Sequence, residues 1–430
     1  MGGAPLSVQA DDWPQWGGPQ RDCVWRETGI VDKLPAEKGE LLPRVWSAKL
    51  GEGYSGPAVA AGKVFITDYV DRDSNRPRER VFCLDAESGA KLWSHEYPVR
   101  YTISYPAGPR ATPVVDADRV YTIGATGKMF CLATESGKVL WEKDFQTDYR
   151  TELPTWGMAA APLVDGEQLI TLVGGANGAT VVSFDKLTGR ELWTAIDDKE
   201  IGYAPPMIFP FGDRRDLIIW HPHAVTALDP STGKEHWNVP FTVKAGLTVP
   251  TPKREGNRLF FTSFYNGSLM LDISPTEPGA KVLWKGKSDS EINTDGLHSI
   301  MPTPVFTKTH IYGVCSYGQL RCLDAATGKR VWETRAATGE GRWWNAFLIP
   351  NGDRVFLHNE QGELIIARLS PKGYEELSRA TLIEPTRPVA RRMTIWSHPA
   401  FAMQSVFARN DQEIVRVNLS AKEAVSKAEK

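Results

Sequence analysis

The chain has no run of 18 apolar residues, so the sequence offers no membrane-spanning helix. Cysteine is scarce: five residues, at 23, 83, 131, 315 and 322, with no CxxC, no CxxCH and no adjacent pair. That excludes a covalent haem c site and a vicinal disulfide, and at 430 residues a small disulfide scaffold is excluded too. Neither sign of charge dominates. Lys and Arg number 50 against 52 Asp and Glu, a net charge of −2, so nothing favours nucleic acid or an anionic membrane as partner. GxSxG, Walker, HExxH and dinucleotide-binding patterns are all missing. Val8-Gln9-Ala10 has the small-x-small form of a signal-peptidase site but lacks the basic and apolar regions of a full signal. We read it as the remnant of a trimmed export signal, with a short tail of no meaning as the alternative. A lipid anchor is not expected, because Cys23 lies too far in and lacks a preceding signal.

Tryptophan, by contrast, is plentiful, and its spacing organises the chain. An eleven-residue segment ending in Trp recurs at Cys83–Trp93, Cys131–Trp141, Ser183–Trp193, Ala227–Trp237 and Cys322–Trp332. Met270–Trp284 carries extra residues in its turn, and Ala367–Leu377 has Leu in the Trp slot. The slots fall at 93, 141, 193, 237, 284, 332 and 377, one every 44 to 52 residues. Each copy reads as four short strands joined by tight turns, as in 114–115, 120–123, 128–132 and 139–141. Four strands per copy, repeated at this period, predict propeller blades. The last copy, His398 to Leu419, runs out after three strands, and Trp46 sits in register before the first. The expected fold is therefore all-β: a single eight-bladed β-propeller of four-stranded antiparallel blades, with an N-terminal strand completing the last blade. We expect a lead-in over 1–43, the propeller over 44–420 and a flexible tail over 421–430. Each slot Trp is expected to pack on the small residue that opens the motif in the neighbouring blade, which makes Cys83, Cys131 and Cys322 scaffold.

The Ala-x-Asp-x-x-Thr-Gly-x-x-x-Trp pattern resembles the pyrroloquinoline-quinone (PQQ)-type propeller repeat over about residues 44–420. That family includes quinoprotein alcohol dehydrogenases, which bind PQQ and Ca²⁺ near the propeller axis. It also includes an outer-membrane assembly lipoprotein with the same ring and no cofactor. The resemblance thus implies scaffold and leaves chemistry open. Asp12-Trp13-Pro14-Gln15-Trp16-Gly17-Gly18-Pro19, with 364–370, 373–376 and 396–402, is similar to exported quinoprotein-like propellers of planctomycete type. The chain departs from the dehydrogenases in lacking a vicinal cysteine pair, a haem domain and long blade insertions.

Loops that join blades, and turns between second and third strands, share one propeller face. Three positions before the first strands stand Tyr54, Arg110, Ala159, Tyr203, Val249, Met301, Trp344 and Trp396, a ring around the axial mouth. Trp156, His298 and Trp343 lie just upstream of ring positions, and His398 and Arg409 belong to the same face. Together these suggest a stacking and anion-binding funnel; a plug of aromatics is the alternative. Asn359, Glu360, Asn410 and Asp411 are the oxygens nominated for Ca²⁺. Asp411 or Glu360 would then serve as catalytic base, with Arg110 or Arg409 on a quinone oxygen, should the chain be a dehydrogenase. Simple solvated turns are the alternative for both triplets. His221-Pro222-His223 could hold a transition metal, but spacing supplies no third ligand, so a polar turn is preferred. Residues 68–80 read as a mobile charged flap.

Three functions stay open. One is an exported, periplasmic or secreted protein that binds a small polar or saccharide-like ligand, or a protein partner, at the aromatic-rimmed face. The second is a PQQ- and Ca²⁺-dependent alcohol or sugar dehydrogenase. The third is a non-catalytic interaction scaffold.

Overall fold

A computed structural model of the protein describes residues 11–198, 200–389 and 391–422. The signal-like Val8-Gln9-Ala10 and most of the 421–430 tail lie outside the described residues. Eight four-stranded antiparallel sheets follow one another along the chain. Blades 1 to 7 span Ala58–Pro98, Val114–Asp144, Leu163–Ala195, Met207–Pro240, Lys253–Lys285, Val305–Thr334 and Ala346–Thr381. Blade 8 joins Ala400–Asn418 to Arg44–Lys49, so the N-terminal strand completes the last sheet and closes the ring. Closure pairs strand Glu413–Asn418 on both sides, so it is not left as an open edge. First strands of neighbouring blades touch one another and line the axis. Among the described residues no helix is long and apolar enough to cross a membrane.

The repeat works through its turn. Asp85, Asp185, Asp229 and Asp324 each accept the amide three residues on, through Oδ1, at 2.8 to 3.1 Å. The turn then passes through a glycine in the left-handed region, at φ 68 to 72° for Gly89, Gly137, Gly189, Gly233 and Gly328. The slot Trp of the preceding blade lies on that glycine: Trp46 on Gly89, Trp93 on Gly137, Trp141 on Gly189, Trp193 on Gly233 and Trp284 on Gly328. In four of the five the indole N–H donates to a backbone oxygen of the same neighbour, from Trp46 to Ala86 at 2.9 Å and from Trp93 to Thr134 at 2.8 Å for instance, whereas Trp193 donates to Gln168 Oε1 of its own blade at 2.9 Å. This corrects the expected packing. The small residue opening the motif sits across from Trp in the same blade, as Cys83 faces Trp93 and Ala227 faces Trp237. A bulge follows each small residue, between Cys83 and Leu84 for instance, and bends the outer strand so that Trp leans toward the next blade.

The charged flap expected at 68–80 is mostly hairpin. Strands Lys63–Val70 and Arg78–Asp85 continue into it, because Asp68 is buried and held by Arg80 at 2.7 Å and by the Gly51 amide at 2.5 Å. The segment after residue 11 crosses the axis. Trp13 pairs with Val59 of blade 1, and Pro14 O accepts the Val115 amide of blade 2. Buried Arg21 donates to Pro162 O and Ala161 O of blade 3 and to Pro206 O of blade 4. Trp25 packs on Phe356 and Phe401 of blades 7 and 8.

Candidate functional site

The inter-blade loops surround a cavity of about 200 Å³ on the axis. Of the ring positions, Tyr54, Arg110, Ala159, Tyr203, Val249, Met301 and Trp396 line it, together with Trp156 and His398. The position assigned to Trp344 is filled instead by Trp343. Trp343 has a left-handed backbone, φ 66°, uncommon for a bulky residue. That twist turns its indole to the axis and sends Trp344 into the protein, against Gly339 and Gly341. Trp343 packs edge-on to Trp396 at 6.2 Å and to Tyr105 at 5.8 Å, while Tyr54 stacks beside Trp396 at 6.4 Å. On the opposite wall Trp156 meets Tyr203 edge-on at 5.7 Å. The aromatics thus line the walls, with the space between them preserved. Trp343 Nε1 has no hydrogen-bond partner among the described residues.

Sequence reasoning missed the floor. Trp16 and Phe347 line the cavity from below, with Tyr105, Leu247 and Ile300 on its walls. Trp16 donates to Thr251 Oγ1 at 2.7 Å and packs edge-on to His398 at 4.3 Å. His398 sits within hydrogen-bond reach of Thr112 Oγ1, 2.7 Å, and of the Gly56 amide, 3.2 Å. Burial lowers its pKa to about 4, so it is neutral at pH 7. The cavity is therefore a cup closed by the lead-in. The Trp-rich lead-in was the only signal for that floor, and periodicity gives no place to a segment outside the repeat.

The polar groups of this face are largely engaged. Arg110 donates to Ser104 O at 2.9 Å, Tyr105 O at 2.6 Å and Gly108 O, and its guanidinium lies 5.0 Å over Tyr54. It holds a loop and an aromatic wall, with its donors turned from the expected anion. The Arg387 guanidinium lies 3.8 Å over the same ring. Arg409 is buried away from the cavity and donates to Thr67 O at 2.7 Å, Gly51 O at 2.5 Å and Asn410 O at 3.0 Å. His298 is also buried outside the cup, beside Phe264 O at 3.1 Å and Asp295.

The oxygens nominated for Ca²⁺ are spoken for, and the structure does not bring the two pairs together. Glu360 is buried against Arg392 and accepts Trp396 Nε1 at 3.2 Å. Asp411 is held by Arg387, with Nε at 2.9 Å, and by the Gly53 amide at 3.2 Å. Asn359 Oδ1 accepts the Gln361 and Glu363 amides, both at 3.1 Å. Asn410 Oδ1 accepts those of Gln412 and Glu413, both at 2.8 Å. A hard cation there would have to displace an arginine or a turn amide at each ligand. These residues do not fit a Ca²⁺–quinone centre, and among the described residues no carboxylate lines the cup as base.

A family model described as outer membrane protein assembly factor BamB matches residues 77–334 and 222–429. The outer membrane protein assembly factor BamB of Burkholderia pseudomallei (strain K96243) is 25% identical over 255 residues, covering 56% of this chain and 60% of that protein. The match therefore spans less than two thirds of that relative's length. Among solved structures, BamB from Moraxella catarrhalis superposes with a TM-score of 0.58 at 17% identity, over 87% of this chain and 96% of that one. Quinohemoprotein alcohol dehydrogenase from Comamonas testosteroni gives 0.63 at 14% identity, over 94% and 80%. At such identities the two structures attest a shared fold alone.

Proposed function

This chain belongs to the family of the outer membrane protein assembly factor BamB, and from that premise we propose that it is a non-catalytic binding propeller acting outside the cytoplasm. Its ligand is a compact molecule with a flat apolar face, such as one saccharide ring, seated in the axial cup. The carrying observation is the set of aromatic walls, Tyr54, Tyr105, Trp156, Tyr203, Trp343 and Trp396, around an open centre. Rings held at fixed angles stack on a flat partner at little entropic cost. A volume of about 200 Å³ lies below the range of ~300–1,000 Å³ usual for drug-sized ligands, which favours a single ring over a long chain. Engagement of Glu360 and Asp411 by arginines weighs against the dehydrogenase reading. The family membership favours a second reading, in which the cup seats an aromatic or proline side chain of a partner protein.

Tryptophan fluorescence and calorimetry on the purified chain separate these readings, with a panel of mono- and disaccharides, aromatic and proline-rich peptides, and PQQ with and without Ca²⁺. The proposal expects saturable binding of a sugar, weakened at least tenfold in Trp343→Ala and Trp396→Ala. Binding confined to peptides would favour the scaffold. Saturable quinone binding with dye reduction on an alcohol would overturn the non-catalytic reading.

A further inference from the structure

A carboxylate stands beside the turn His221-Pro222-His223. His221 ends the second strand of blade 4, and His223 follows Pro222 at the turn. Asp198, on the loop that leaves blade 3, places Oδ2 at 2.6 Å from His221 Nδ1 and 2.7 Å from His223 Nδ1. Among the described residues this is the one group of three His, Cys, Asp or Glu side chains whose ligand atoms converge, all within 4.8 Å of one another. We propose that Asp198, His221 and His223 bind a divalent transition-metal ion of the zinc class, with solvent completing the coordination.

The surroundings are built for that role. Two imidazoles and one carboxylate suit zinc, copper or nickel far better than calcium. Asp198 Oδ1 is occupied by the Glu200 amide at 3.1 Å, which leaves Oδ2 for the ion. The Asp198 backbone is fixed by Thr180, whose Oγ1 accepts its amide at 2.8 Å and donates to its carbonyl at 2.6 Å. The His turn is fixed as well: Pro222 O accepts the Val243 amide at 2.7 Å, and His223 O that of Phe241 at 3.0 Å. Behind His221, Nε2 lies 3.1 Å from Thr226 Oγ1, itself held by Asn238 Nδ2 at 2.7 Å. A metal on Nδ1 needs the proton on Nε2, and Thr226 is placed to accept it, the usual support for a ligating imidazole. Ligands about 2.0–2.1 Å from a tetrahedral ion stand roughly 3.3 Å apart, so Asp198 Oδ2 and each imidazole nitrogen must part by about 0.6–0.7 Å. His223 is exposed and can move that far; its exposure also gives the ion an entry path. All five cysteines are buried, so thiols do not compete for the metal. A bound ion would staple Asp198 onto the His turn, five residues before Tyr203 of the cup wall.

Chelator-stripped full-length protein titrated calorimetrically with Zn²⁺ tests the site. We expect one saturable equivalent, with slower hydrogen exchange in 196–203 on loading. His223→Gln, a surface change that leaves folding intact, should weaken binding at least tenfold and abolish the exchange effect, and His221→Gln should do the same. No saturable binding overturns the proposal. So does an affinity unchanged in His223→Gln, which would put the ion elsewhere. Neither result bears on the cup, whose test uses no zinc.

Discussion

His358 and His398 are buried imidazoles whose pKa values burial lowers to about 4, from an ordinary 6.5. His398 faces Trp16, Phe347, Thr112 and Gly56, and His358 lies by Glu363 O; each imidazole would also repel charge on the other. Among the described residues no carboxylate is within hydrogen-bond reach of either ring to favour the cation. Between pH 6.5 and 4 the unfolded chain therefore takes up protons that the folded chain refuses. Stability is complete above 6.5 and falls as pH drops toward 4, by up to roughly 3 kcal/mol per histidine. Thermal melts at stepped pH should show that loss, and His358→Gln should flatten it. A melting temperature constant from pH 7 to 4.5 would contradict the assignment. At the same scale the Trp343–Trp344 pair shows how a sequence misleads: one left-handed residue exchanged the roles of two identical side chains.

At the scale of the element, the blade-to-blade joint is a tryptophan on a glycine. A Cβ at Gly137 would come within 2.5 Å of the Trp93 ring, in a backbone already at φ 68°. Gly166 shares the conformation, at φ 58°, but a Cβ there meets nothing within 4 Å. Gly166→Ala should cost about 1 kcal/mol for the backbone alone, and Gly137→Ala about 2–3 kcal/mol, because it also pries the joint apart. Denaturant midpoints of the two variants measure the difference. Equal losses would mean that the indole contact contributes nothing. The repeat, the glycine turns and the tryptophan slots were legible in the sequence because they are local and recur. The partner of each Trp was not, since it depends on the bulge that tilts the outer strand.

For the whole molecule, the ring is closed twice: at its rim by strand Arg44–Lys49, and across its axis by the lead-in. Arg21 is the pin of the second closure. It is buried, its pKa lowered to about 10 by desolvation, and it remains charged while donating to three backbone carbonyls of blades 3 and 4. Arg21→Ala leaves those carbonyls without their donor and should cost about 3 kcal/mol. Because Arg21 anchors the segment that carries Trp16, the same variant should loosen the floor of the cup and weaken any ligand found there. Melting temperature and ligand affinity should fall together; a fall in stability with affinity intact would separate floor from site.

By itself the sequence determined the eight-bladed ring, its closure by the first strand and the face on which long loops gather, since a period of strands and turns repeated along a chain admits few other solutions. It also marked seven of the cup's wall positions, because they share a register with the first strands. Only the tertiary structure decided that Trp343 replaces Trp344, that the lead-in turns a channel into a cup, that arginines occupy the carboxylates of blades 7 and 8, and that Asp198 stands between two histidines. Each of these joins residues far apart in the chain or turns on a single backbone dihedral, and neither leaves a periodic mark.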